Sequence, residues 1–238
     1  MLLLDAGSSI LGGWEWDYES KARMMVEAMN RMGYDALTVG QGELQMGSEA
    51  LLKVMTQADF PFLSANLTRG KSGPLLVQPY TLLSLDGHRV AIIGVTAPED
   101  TDIHQLEEGE VGVLDPIEGV RRQVNAVKDQ AKVIIVLSHL GLEMDQKLAQ
   151  QVGEIDLIVG GRSGDNLEEP LQNEVTRTVI VQAGNRGEWL GIIDLELDQH
   201  GRIVSYKGRN LALSEEIVED PEFSAWLQSV QPTPTPSG

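Results

Sequence analysis

The chain contains no cysteine. Disulfides, zinc–thiolate centres, iron–sulfur clusters and thiol nucleophiles are therefore excluded, although the compartment is left open. Nowhere do about 18 apolar residues run together, so no membrane span is expected. Positive charge is scarce: 18 Lys and Arg face 36 Asp and Glu, a net charge of −18. Such a surface repels phosphate backbones and anionic lipid, which argues against nucleic acid or a membrane surface and suits a cationic ligand or a basic protein. No signal peptide is evident, because Met1-Leu-Leu-Leu-Asp5 reads as the opening of a strand with no charged region ahead of an apolar run. The abrupt start, and a final Pro232-Thr-Pro-Thr-Pro-Ser-Gly238 that reads as an extended Pro/Thr linker, lead us to expect a piece cut from a longer protein at both ends.

What is present suffices for a sizeable core: 42% of 238 residues are hydrophobic. A strand is expected at residues 2–4. A helix follows at 18–31, with Ala22, Met25, Val26 and Met29 on one face and Gly33 as its stop. Strands at 36–39 and 62–65 bracket a helix at 48–56, for which Ser48 is the expected N-cap and Leu51, Leu52 and Met55 the inward face. This β-α-β-α-β rhythm implies parallel strands with helical crossovers. Asp86-Gly87 between apolar runs at 80–85 and 90–94 signals a hairpin. Further on come a helix at 116–130, a β-branched run at 133–137 expected to be buried on both faces, a helix at 145–152 and a strand at 157–159. Strands at 179–182, 191–197 and 203–211 are expected to form antiparallel hairpins, and a last helix is expected at 221–230. No internal repeat is visible. Residues 1–230 read as one unit and 231–238 as linker.

Three glycine-marked turns each follow a strand directly: Asp5-Ala6-Gly7-Ser8, Gly40-Gln41-Gly42-Glu43 and Gly160-Gly161-Arg162-Ser163-Gly164. Ligands of open α/β sheets bind beyond the carboxyl ends of the strands, so the three turns can share one edge. The text around them, Tyr34-Asp-Ala-Leu-Thr-Val-Gly40, Leu137-Ser-His-Leu-Gly141 and Ile155-Asp-Leu-Ile-Val-Gly-Gly161, resembles the N-terminal catalytic domain of the 5'-nucleotidase family. That family reads GD, GNHE and GHSH at these turns. The resemblance spans residues 2–213. It implies an α/β fold, the four-layer α/β/β/α sandwich of two mixed sheets of calcineurin-like metallophosphoesterases, here truncated at its N-terminus. The family's opening Asp-x-His motif would lie before Met1.

In that family two divalent metals such as manganese or zinc, about 4 Å apart, clamp a phosphate and generate a hydroxide nucleophile. They need a bridging carboxylate and a ring of His, Asn and Asp donors. The resemblance places Ser8 where the bridging aspartate belongs, Gln41 and Gly42 where an Asn ligand and a phosphate-binding His belong, and Arg162 and Gly164 at two further His positions. Glu43 and His139 are retained. One imidazole does not hold a metal pair, so neither a catalytic set nor a metal set is expected, and no cofactor.

Other candidates have competing roles. His139 is either a hydrogen-bonded remnant or a ligand contact in the old cleft. Glu43 is expected to brace its own turn through backbone N–H groups, with general-base duty as the alternative. Arg162 either pairs with Glu43 or Asp165 or binds an anion, helped by Ser163 and the N–H groups of Gly160, Gly161 and Ser163. Ser8 and Ser9 are set aside as nucleophiles, because the motif is not G-x-S-x-G and no His–acid pair is placed to activate the hydroxyl. His88, His104 and His200 are expected in solvent. The loop Gly12-Gly13-Trp14-Glu15-Trp16-Asp17 lines a pocket, meets a partner or is a plain rim, and the acids at 107–110 read as a solvated loop.

Three readings result. The chain is a catalytically degenerate member of the family serving as a binding or interaction module, with an unidentified protein or flanking domain as partner. Alternatively it is a metal-dependent phosphoesterase with an atypical site completed by upstream residues or by Glu43, Asp165 and His139. The third reading is a domain that binds a small anion through Arg162 without turnover. Family resemblance and the linker lead us to expect a periplasmic or cell-surface home.

Overall fold

The computed structural model describes residues 1–10, 18–98 and 110–230. Strands β1 (Leu4–Asp5), β2 (Ala36–Thr38) and β3 (Phe62–Leu63) form a parallel sheet in the order β1-β2-β3. Helices α1 (Tyr18–Met32) and α3 (Ser48–Met55) cover its outer face. Ala22, Val26 and Met29 of α1 are buried there with Leu37, Leu51, Val54 and Phe62. The 3.6-residue spacing of the α1 apolar positions puts them on one face, as expected.

The second sheet has six strands in the order β10-β11-β9-β8-β6-β5. These are β5 (Tyr80–Leu85), β6 (His88–Thr96), β8 (Val133–His139), β9 (Leu157–Gly160), β10 (Leu171–Gln172) and β11 (Val179–Gln182). Helices α4 (Pro116–Val127) and α5 (Leu142–Gln151) pack on its outer face. Asp115 caps α4 by accepting the Glu118 N–H at 2.8 Å, and Pro116 occupies the first turn, where no N–H is missed.

All seven residues of β8 are buried, because the sheet is covered on both sides. Alternation sorts its side chains: Ile134 and Val136 join the helix-side core, while Val133, Ile135 and Leu137 face the first sheet. That inter-sheet core also holds Ala36, Leu63, Ile92 and Val179. Ile193 and Leu195 of β12 (Trp189–Leu197) and Tyr206 of β13 (Ile203–Ala212) pack against it. The layers are thus α/β/β/α. A small pair, β4 (Leu67–Arg69) with β7 (Val111–Val113), and a four-residue helix α2 (Gln41–Leu44) complete this part. Helix α6 (Pro221–Val230) buries no residue and meets α1 through Trp226, over which the Arg31 guanidinium sits 4.7 Å from the ring centroid.

Several expectations change. Gly47, not Ser48, caps α3; Ser48 is its first residue, and both its N–H and its hydroxyl go to the Glu110 carboxylate. Leu51 and Val54 are the buried α3 positions, with Leu52 and Met55 only partly buried. Helix α5 begins at Leu142, ahead of the expected start at residue 145. The antiparallel hairpins form between β10 and β11 and between β12 and β13, but β11 also runs parallel to β9 on its other side, because its apolar run lies inside the six-stranded sheet. The hairpin at Asp86-Gly87 forms, with φ of 50° and 83° at its two turn residues. His200 is exposed, but His88 opens β6 and is half-buried. His104, the aromatic loop at 12–17, the acids at 107–109 and the tail at 231–238 lie outside the described residues.

Candidate functional site

The turns after β1 and β2 converge on one edge with the end of β8 and the turn after β9. Glu43 organises the first two. Its side chain is fully buried. One carboxylate oxygen accepts the N–H groups of Ser8 and Gly40, each at 2.8 Å, and the other accepts those of Ser9 at 2.9 Å and Ile10 at 3.3 Å. The bond to Gly40 is the reach-back of an N3 glutamate to its helix cap. Burial pushes the Glu43 carboxyl up, the N–H groups of Ser8 and Gly40 pull it back, nearby Asp5 raises it and His139 lowers it. Asp5 is also pushed up by burial, against bonds from the Ser9 hydroxyl at 2.6 Å and the Gly7 N–H at 2.8 Å and the charge of His139.

Ser8 stands at φ +63°, in the left-handed region that few L-residues occupy. Its hydroxyl oxygen lies 2.9 Å from Nε2 of His139 and accepts the Gly42 N–H at 3.0 Å. His139, the last residue of β8, is buried and reaches across the sandwich, so this bond joins the two sheets. Its Nδ1 is 2.7 Å from the Ala6 carbonyl. A carbonyl only accepts, so Nδ1 carries a proton, and in the neutral ring Nε2 accepts the Ser8 O–H. Gly40 is glycine for a spatial reason: a Cβ there would lie 2.7 Å from His139 Cδ2 and 2.8 Å from Ser8 Oγ.

The turn after β9 touches the first turn where Gly161 lies against Ala6. Arg162 is exposed, at φ +74°. Two of the three backbone donors expected to help it hold an anion are already engaged. Gly161 N–H goes to the Ser138 carbonyl at 2.8 Å and Ser163 N–H to the Gly161 carbonyl at 3.0 Å. With its amide turned to satisfy the network, Gln182 accepts the Ser163 hydroxyl at 3.0 Å, the Asp165 N–H at 3.1 Å and the Gly164 N–H at 3.2 Å. Ser163 Oγ in turn accepts the Leu142 N–H at 3.1 Å. Gln182 and Ser163 thus stitch this turn together.

Sequence reasoning misses the polar layer beneath the edge. Asn66 donates to the Thr96 carbonyl at 2.8 Å and accepts the Thr96 N–H at 3.0 Å. The Thr96 hydroxyl donates to the Val39 carbonyl at 2.7 Å, tying the sheets below His139, its register partner. Ser138 donates to Asp145, whose side chain is fully buried. The one sequence signal for Asp145 is an acid in the first turn of a helix, which ordinarily marks an exposed dipole contact.

No protein-family model matches the chain. Human 5'-nucleotidase is 32% identical over 253 residues, covering 94% of the chain and 43% of that protein. The solved 5'-nucleotidase precursor from Thermus thermophilus is 29% identical and superposes with a TM-score of 0.84, over 96% of this chain and 48% of that one. The chain belongs to the 5'-nucleotidase family, as its N-terminal domain. Its fold is also that of the calcineurin-like phosphoesterase YfkN from Bacillus subtilis, at 24% identity and a TM-score of 0.81, over 96% of this chain and 82% of that one. The chain spans less than half the length of the curated 5'-nucleotidases it matches.

The family's two-metal centre does not fit the residues at this edge. Where the family resemblance places ligand and phosphate-binding groups, this chain has a hydroxyl (Ser8), an amide (Gln41), two glycines (Gly42, Gly164) and a cation (Arg162). Among the described residues, no group of three or more His, Asp and Glu side chains is arranged to hold a metal ion. The Nε2 of His139 is engaged by Ser8. Among the described residues, no helix is long and apolar enough to cross a membrane.

Proposed function

We propose that this phosphoesterase-like domain has given up two-metal hydrolysis and serves as a binding or interaction module of a larger, exported protein, periplasmic or at the cell surface. The observation that carries this reading is the 2.9 Å bond between Ser8 and His139. It fills the junction between the sheets with a hydroxyl–imidazole contact where the family pattern calls for a bridging carboxylate and metals. The partner is a flanking domain or another protein, and the net charge of −18 favours a basic one.

Metal analysis tests this directly. After incubation with manganese and zinc and extensive dialysis, the expected content is near zero, with no metal-dependent release of phosphate from nucleotides. About two metals per chain, with phosphate release, would instead support the working phosphoesterase with an atypical site.

Exposed Arg162 favours a second reading, the capture of a small anion. With the N–H groups of Gly161, Ser163, Gly164 and Asp165 occupied, the attraction comes from the guanidinium rather than the turn, and binding is weak. At constant ionic strength, phosphate should then raise the melting temperature by about 2 °C near 50 mM for a Kd of roughly 10 mM. Arg162→Gln should abolish the shift, and an equal effect of chloride would remove this reading.

A further inference from the structure

We propose that Ser8 and His139 form a metal-independent nucleophile–base pair, which gives this domain serine-type reactivity toward small carboxylic esters with good leaving groups. The inference goes beyond the binding-module reading and is independent of it. Sequence alone sets Ser8 aside for want of a His–acid pair to activate it; the fold brings His139 to its hydroxyl from 131 residues away.

The geometry has the parts such a pair needs. Oγ and Nε2 are within proton-transfer reach at 2.9 Å. The Ala6 carbonyl, 2.7 Å from Nδ1, fixes the ring so that the Nε2 lone pair faces the hydroxyl. Ser8 is half-buried while His139 is buried behind it, so the base is shielded from water. Ser8 sits directly after a strand at φ +63°, a strained turn of the kind that projects a nucleophile from a sheet edge. The carboxyls of Asp5 and Glu43 lie close enough to His139 for its charge to lower each of them, against the burial that raises them.

The step balances without a metal. As Ser8 Oγ bonds to the acyl carbon, its proton passes to Nε2 and the carbonyl pair moves onto oxygen. Collapse expels the alkoxide or phenoxide, which leaves with the proton from Nε2. Water then loses a proton to Nε2 as its oxygen adds to the acyl carbon, and collapse returns the proton to Ser8 Oγ and frees the carboxylic acid. Gly42 N–H, 3.0 Å from Oγ, is the backbone donor at this point, because Glu43 holds those of Ser8, Ser9, Ile10 and Gly40. A site with so little oxyanion support handles activated esters, not amides.

A fluorophosphonate probe, applied to the folded chain in excess EDTA and followed by peptide mass spectrometry, tests the pair. The expected result is a covalent adduct on Ser8, absent in Ser8→Ala and formed at least about tenfold more slowly in His139→Gln. A stoichiometric burst of p-nitrophenol from p-nitrophenyl acetate should follow the same pattern. No adduct on Ser8, an adduct on Ser9 instead, or labelling that survives heat denaturation overturns the proposal. An unchanged rate in folded His139→Gln does so too. If His139→Gln does not fold, wild type against Ser8→Ala decides: a burst of equal size in both defeats it. Metal content decides the binding-module reading separately.

Discussion

The buried carboxylate of Asp145 accepts the hydroxyl of Ser138, the residue just before His139. Its second oxygen has no hydrogen-bond partner among the described residues, and Gly160 is glycine because a Cβ there would collide with that oxygen. An acid is thus stored inside the sheet–helix core directly behind the candidate site.

Burial pushes Asp145 up to about 7, against the hydrogen bond from Ser138. Burial likewise pushes Asp156, which accepts the Ile134 N–H, up to about 6, against that bond. An acid whose pKa is higher folded than unfolded keeps its proton in the native state while the unfolded chain releases it. Stability should therefore fall as pH rises from about 4 to about 7 and then level off, with Asp145 contributing up to roughly 4 kcal/mol. Urea denaturation across that range should show the slope, and Asp145→Asn should reduce it by about one proton. An identical slope in the variant would show that Asp145 is ionised in the native state.

Glu43 satisfies four backbone donors at once. Removing the acceptor leaves N–H groups unpaired where water is excluded, at about 1–3 kcal/mol each and less than additively. Glu43→Ala should lose about 3 kcal/mol or more, and Glu43→Gln distinctly less, because one carbonyl oxygen remains. Equal losses in the two variants, measured by chemical denaturation, would assign the role of Glu43 to its charge.

Helix α6 gives the opposite expectation. It buries no residue, and its contacts include the Arg31–Trp226 stacking and the Phe223–Trp226 edge contact at 5.2 Å. Exposed cation–π pairs contribute about 0.5–1 kcal/mol. Trp226→Ala should cost no more than about 1 kcal/mol, against roughly 2–5 for Leu137→Ala in the inter-sheet core. A loss at Trp226 comparable to that at Leu137 would make α6 part of the main cooperative unit.

The frame is readable in the sequence because apolar spacing is a direct physical signal. The β-branched run of β8 announces burial on both faces, and Asp86-Gly87 announces its turn. Ser48 misleads about the cap of α3 because it has the right chemistry one position late, and Glu110, 62 residues on, claims it. For β11 only half is legible: its antiparallel pairing is foreseen, but a short apolar strand carries no mark of the parallel partner, β9, on its other side. The turns of the candidate site are legible, their wiring is not. Ser8 and His139 are 131 residues apart, and nothing local to either says that they meet. The same holds for Gln182, whose amide gathers a turn 19 residues before it.

Gly40 offers the sharpest separation between the site and the frame. A Cβ at this position meets the His139 ring and Ser8 Oγ well inside contact distance, and neither can retreat freely. The ring is pinned by Ala6, and Ser8 by Glu43 and Gly42. Overpacking of this kind typically costs about 1–3 kcal/mol, so Gly40→Ala should still fold while forcing the imidazole off Ser8. The change should appear as a shifted Nε2 resonance of His139 in nitrogen NMR and as lost fluorophosphonate reactivity. Ser8→Ala, which removes the hydroxyl without crowding the ring, should lose reactivity with a smaller stability penalty. If Gly40→Ala leaves both the resonance and the reactivity unchanged, the ring has room that the packed geometry denies it, and the tight Ser8–His139 arrangement is not the one in solution.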